Sequence, residues 1–222
     1  SDGGADVKDV YDAESSYKTE NQATIATAGL DQQGAVIART VTDGIRHNKF
    51  LVLLKAGQPI AVWTGSTKIS PGGIFGHSNV GHVVWDAAVA RKYLDYWTEL
   101  AQNKTSTKLR PVNRAATPTP AGKPPKGVTA IFSARDEPDA PSPTLQWYAD
   151  RMAEAKKIVC FTVAFDLDPV FRDVLARQND VIRYVVKDDD LGSGDIISQD
   201  RDVLFAAGAY FRDDWLANFR GE

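Results

Sequence analysis

Ile158-Val-Cys-Phe-Thr-Val-Ala-Phe165, then Asp168-Pro169, then Val181-Ile-Arg-Tyr-Val-Val186 is the stretch that decides the fold class. The first run is apolar and of strand length, as a strand buried in a parallel sheet requires. Asp168 is suited to an N-cap and Pro169 to the first helical position. The helix that follows predicts an apolar face of Phe171, Val174 and Leu175, with Gln178 at its end. Residues 181–186 read as the return strand. Working outward, residues 144–155 predict a helix with Leu145, Tyr148 and Met152 on one side, and residues 128–133 predict a strand. Strand, helix, strand, helix, strand at this spacing is an α/β layer with parallel strands. Cys160 is the single cysteine, which excludes an intrachain disulfide, and its apolar neighbours predict a small buried core residue.

Upstream, residues 102–127 hold five prolines and six Lys/Arg without an Asp or Glu. That composition reads as a linker or crossover rather than a regular element in a core. Before it, residues 35–40, 50–54, 60–64 and 80–84 read as strands, the middle two forming a hairpin. Residues 70–76 are Pro/Gly-rich and read as loop. Asp86 is placed to cap a helix reaching about residue 101, with Val89, Tyr93, Trp97 and Leu100 along one face. Residues up to 34 are polar and weakly patterned. The expected architecture is α/β, a mixed sheet flanked by helices in each of two related halves. Residues 1–101 form the first half, 102–127 the linker and 128–222 the start of the second. Trp97, Trp147 and Trp215 fall at helical positions and are expected in the core, while Trp63 sits one strand away from His47.

With 222 residues, 43% hydrophobic and 25% charged, the composition is that of a globular chain and not a disordered one. No run of about 18 apolar residues is present, so no transmembrane segment is expected. The opening Ser-Asp-Gly-Gly has neither Met nor an apolar leader, as expected of a processed chain or a piece of a longer one. Net charge is −3, and residues 136–222 carry 18 acids against 10 bases. That excess argues against a nonspecific nucleic-acid surface there, and is silent about a local phosphate pocket.

The three histidines, His47, His77 and His82, lie close together in the sequence beside the Gly-rich loop. His47 and Lys49 are two apart at the start of a strand, so their side chains point the same way. A neighbouring ammonium disfavours protonation of the imidazole, and a neutral imidazole is what a nucleophile or general base needs. Lys49 can bind an anionic oxygen, and Ser66, after Gly65, adds a hydroxyl. His77 and His82 read more simply as loop-packing or hydrogen-bonded residues. Asp188, Asp189 and Asp190, with Gly192, Gly194 and Asp195, lack the ligand positions and final Glu of an EF-hand and read as a solvated turn. No metal and no cofactor is expected.

The residues His47-x-Lys49, a strand hairpin, Gly65-Ser66, and Ser78-Asn79 before a strand resemble the phospholipase D superfamily pattern. The run 45–86 is similar to bacterial members of that family. Residues 128–186, with Thr144-Leu-Gln-Trp-Tyr-Ala-Asp150, resemble the opening of a second repeat. The resemblance implies phosphodiester hydrolysis or transfer through a phosphohistidine on a phospholipid or a nucleic acid, without metal. It implies His47 as nucleophile or acid and Lys49 as oxyanion clamp, with Ser66 and Asn79 as supporting phosphate-binding groups. Two departures stand out. Leu54 occupies the position of the family's Asp, and Lys68 that of the Asn in Gly-Ser-x-Asn, where it could act as a second phosphate clamp. His47-x-Lys49 is the single motif of its kind here. The partner half-site is therefore expected from a segment beyond residue 222 or from another subunit. The alternatives are a noncatalytic phosphate-binding or scaffold protein of the same fold, and a nuclease completed by homodimerisation.

Overall fold

The computed structural model describes residues 4–14, 16, 18–31, 34–44, 46–68, 70, 72–76, 79–135, 142–163, 167–177, 179–187 and 203–207, the last as backbone only. Its architecture is mixed α/β, with helices and three small sheets. The chain divides into two compact units, each drawn from several stretches. The first takes Ser1–Ser66, Val80–Pro118 and Gly127–Asp136, and the second Thr67–Asn79, Thr119–Lys126 and Glu137–Glu222.

In the first unit, β1 (Asp9–Asp12) pairs in parallel with β2 (Val36–Arg39), and α1 (Lys18–Thr27) lies between them in the chain. β3 (Phe50–Lys55), β4 (Gln58–Gly65) and β5 (Gly81–Val84) form an antiparallel sheet in that order. Helix α2 (Ala87–Ala101) packs across β4. Asp86 caps it by accepting the N–H groups of Ala88 and Val89, as expected from the sequence. Its buried stripe is Val89, Ala90, Tyr96 and Leu100, whereas Tyr93 and Trp97 are half-buried.

The interior of this unit is aromatic. Tyr96 stacks on Phe132 at 4.6 Å between ring centroids, Tyr93 meets Phe132 edge-on at 5.0 Å, and Phe50 meets Tyr93 at 5.2 Å. Leu100, Leu109 and Ala130 complete the cluster. The opposite face of the sheet is apolar too, with Leu51, Leu53 and Val83 exposed.

Two expectations change here. Residues 102–127 are not all linker, because Ser106–Ala116 is a helix, α3, with Thr105 as N-cap and Leu109 and Asn113 buried. Pro111 removes one backbone donor from its interior. Burial of Leu109 and Asn113 offsets this, as tertiary packing commonly overrides propensity. Residues 128–133 pair with no strand among those described. Their backbone is held by side chains instead: Phe132 N–H donates to Thr117 Oγ1 at 3.0 Å, and the Tyr96 hydroxyl donates to the Ser133 carbonyl at 3.0 Å. The Arg135 guanidinium donates to the Phe132 carbonyl at 3.2 Å.

In the second unit, β6 (Ile158–Val163), β7 (Ile182–Lys187) and β8 (Val203–Ala207) form a parallel sheet in sequence order. Helix α4 (Pro143–Ala153) is capped by Ser142, and α5 (Pro169–Leu175) by Asp168 with Pro169 at its start. Val163, Leu167, Leu175 and Val185 form one buried cluster, and Ala149, Val170 and Val174 another. Cys160 is exposed, which corrects the expectation of a buried thiol. Successive strand residues face opposite ways. Val163 lies on the side covered by the helices, while Ile158 and Cys160 lie on the open side. Gln178, Trp215 and the Asp188–190 run fall outside the described residues.

Because Phe132 is the side chain on which both tyrosines rest, Phe132→Ala is expected to cost about 3–5 kcal/mol of unfolding free energy. Urea denaturation of the two proteins measures the difference.

Candidate functional site

The site is built on the segment that enters β3. Residues 46–49 lie just before the strand, which begins at Phe50. Arg46 and Asn48 are tied to the interior, with Arg46 in an ion pair to Asp12 at 3.2 Å and Asn48 Nδ2 donating to the Tyr96 hydroxyl at 3.2 Å. Phe50 is packed against the aromatic cluster. His47 and Lys49 are the intervening residues, His47 exposed and Lys49 half-exposed. The sequence expectation placed both at the start of a strand, but β3 begins only at Phe50, so His47 and Lys49 sit in the irregular segment that enters it. Lys49 Nζ donates to the His47 carbonyl at 2.8 Å, so the ammonium folds back along the same strand end.

The neighbouring strands hold Ser66 at this end of the sheet. Gly65 N–H and Thr64 Oγ1 both donate to the Lys49 carbonyl, each at 3.4 Å. Ser66 N–H donates to the Val80 carbonyl at 2.8 Å, and Ser66 Oγ accepts from Val80 N–H at 3.0 Å. The Ser66 hydroxyl keeps its own proton to donate. Gly65 is required by space, because a Cβ there would lie 2.0 Å from the Val80 carbonyl oxygen. Thus His47, Lys49 and Ser66 are brought to one end of one sheet. His82 is exposed on β5, opposite Thr64, and His77 lies outside the described residues.

Lys68 and Asn79 belong to the second unit. There they flank a π-helical turn, Gly72–Gly76. Asn79 Nδ2 donates to the Gly73 carbonyl at 2.8 Å and the Ser70 hydroxyl accepts Gly73 N–H at 3.1 Å. Asn79 therefore closes the turn, and Lys68 is exposed beside it. Leu54 is exposed at a register shift in β3.

Sequence reading missed the residues that hold this segment from behind. Arg39 is buried and donates to the Leu100 and Lys104 carbonyls at 2.8 and 3.0 Å. Burial lowers its pKa, and Arg46 nearby lowers it further. Asp43 accepts the Ser106 N–H at the start of α3. Burial pushes the Asp43 carboxyl up, but hydrogen bonds from Ser106 and Thr107 together outweigh it and hold the group below the usual carboxylate range. Burial raises the Tyr96 pKa, and its hydroxyl donates to the Ser133 carbonyl at 3.0 Å. No local signal marked these residues, because their partners lie far along the chain.

Among the described residues no group of three His, Cys, Asp or Glu is placed to hold a metal ion, and no helix is long and apolar enough to cross a membrane. No protein-family model, no curated protein and no solved structure matches the chain.

Asp43 makes the anchoring pH-dependent. A carboxyl whose pKa is lowered by folding stabilises the protein above its unfolded value, and that contribution fades as pH falls through the folded value. Asp43→Asn is expected to lower the melting temperature at pH 7, with the gap from the parent protein closing as pH drops below the ordinary carboxylate range. A gap constant from neutral to strongly acidic pH would show that the charge at the start of α3 contributes nothing.

Proposed function

We propose that this chain is a phospholipase D-like phosphodiesterase, acting on a phospholipid or a nucleic acid through a phosphohistidine, with two related halves in its architecture. The observation that carries the reading is the pair His47 and Lys49 at one end of the β3-β4-β5 sheet. Arg46, Asn48 and Phe50 anchor the segment that carries the pair, and the Lys49 carbonyl accepts from the N–H of Gly65, next to Ser66. In this reading an imidazole nitrogen of His47 attacks phosphorus and the bond to the leaving oxygen breaks. A second acid protonates that oxygen while Lys49 holds a nonbridging oxygen. Water then attacks the phosphohistidine and releases the phosphoryl group, or an alcohol accepts it.

A second reading is a noncatalytic anion binder of the same fold. Lys68 and Leu54 favour it, since they stand where the resemblance puts Asn and Asp. One experiment separates the two. The chain is mixed with a phosphodiester carrying a good leaving group, quenched in base, and examined by mass spectrometry for a phosphoryl adduct. An adduct on His47 that is absent from His47→Ala supports the phosphodiesterase. Orthophosphate binding that is lost in Lys49→Ala, with no adduct, supports the binder.

Because the sequence holds one His-x-Lys, the 222-residue chain as a monomer is expected to turn over such a substrate slowly. Loss of either the nucleophile or the leaving-group acid typically costs about a hundredfold or more. Turnover should survive excess chelator, since the proposed roles fall on His and Lys. A rate abolished by chelator and restored by one divalent ion contradicts the phosphohistidine route, and fast turnover confined to a dimer would place the second acid on another copy.

A further inference from the structure

Residues 44–85 contain not one Asp or Glu, in a chain whose net charge is −3. Over those 42 residues the formal charges are all positive: Arg46, Lys49, Lys55 and Lys68. Within this stretch, in the second unit, the turn Gly72–Gly76 presents Ile74 at 53% and Phe75 at 68% exposure. Adjacent large apolar side chains on a turn are costly to leave in water and commonly mark an interaction site.

The turn is built to hold them out. Gly73 is buried, and a Cβ on it would lie 2.4 Å from the Lys68 carbonyl oxygen, so backbone packs on backbone at its base. Ile74 N–H donates to the Ser70 carbonyl at 2.9 Å, and Ser70 and Asn79 fix the two backbone groups of Gly73. With its base closed in this way, the turn directs its apolar residues outward. Lys68, exposed at that base, supplies the cation.

We propose that this turn is a lipid-contacting tip. Ile74 and Phe75 enter the apolar margin of a phospholipid surface, and Lys68 meets its anionic headgroups. Apolar residues beside a cation, with no acid in the flanking sequence, match a surface that is anionic outside and apolar beneath. A nucleic acid is the poorer fit. It calls for a dense row of cations and stacking aromatics, whereas the stretch carries four cations and Ile74 offers no ring. The proposal deepens the phosphodiesterase reading by naming phospholipid as the substrate, and rests on that reading only for this catalytic consequence.

The test is cosedimentation of the full chain with two kinds of vesicle, phosphatidylcholine alone and phosphatidylcholine with anionic phosphatidylglycerol. The chain is expected to bind. Replacing both residues, Ile74→Ser with Phe75→Ser, should weaken partitioning by about tenfold or more. Lys68→Gln should weaken it less, and only on the anionic vesicles. Gly73→Ala should reproduce the loss by deforming the turn, with an unchanged far-ultraviolet circular dichroism spectrum showing that the fold persists. Equal partitioning of the parent and the double variant, or no binding to either kind of vesicle, overturns the proposal. So does a double variant that loses affinity for a single-stranded oligonucleotide while its vesicle binding is untouched. Binding is read without turnover, so vesicle binding without a phosphohistidine adduct supports the tip and removes the phosphodiesterase. An adduct without vesicle binding does the reverse.

Discussion

The Tyr96 hydroxyl is the point at which the interior of the first unit and the neighbours of His47 meet. It donates to the Ser133 carbonyl and accepts from the Asn48 amide, while its ring lies between Phe132 and Phe50. A hydroxyl can donate once and accept twice, so one atom serves both ties without competition. The strand entering the candidate site is thus referenced to a part of the chain more than eighty residues away.

This arrangement separates two requirements that a reactive group imposes. A reacting side chain has to be reachable, and it also has to be positioned. At residues 46–50 the even positions are held by a charge pair, an amide hydrogen bond and an aromatic packing contact. Lys49, between two of them, donates its ammonium to the His47 carbonyl. Arg46 and Asn48 accordingly position the backbone that carries the imidazole and the ammonium.

Much of this was legible in the sequence, because the signals are local. The hairpin of β3 and β4, the Asp86 cap and the Asp168-Pro169 start of α5 each follow from neighbours within a few residues. What was missed depends on partners far away. Helix α3 carries Pro111 and a run of cations, both local signs against a core helix, yet burial of Leu109 and Asn113 prevails. Residues 128–133 have the pattern of a strand, but their backbone bonds go to Thr117, Tyr96 and Arg135. Cys160 reads as buried only if both faces of its strand are assumed covered. α1 and β1 had no periodicity strong enough to show, and α1 buries only Ile25.

The interleaving of the two units bears on how the polypeptide matures. Phe132 and Ser133 complete the interior that holds Tyr96, and they lie beyond the Thr67–Asn79 and Thr119–Lys126 stretches that belong to the second unit. During synthesis the first unit cannot close its aromatic cluster when β5 and α2 leave the ribosome. It must wait until residues 127–136 have followed. Domains that fold as contiguous blocks escape this delay, whereas contacts of long sequence separation are slow to form and leave apolar surface exposed meanwhile. A chain cut near residue 101, where the sequence invites a boundary, would therefore hold the whole of α2 with no Phe132 to pack against it. The nascent protein is committed to emerging most of the way before either unit is whole.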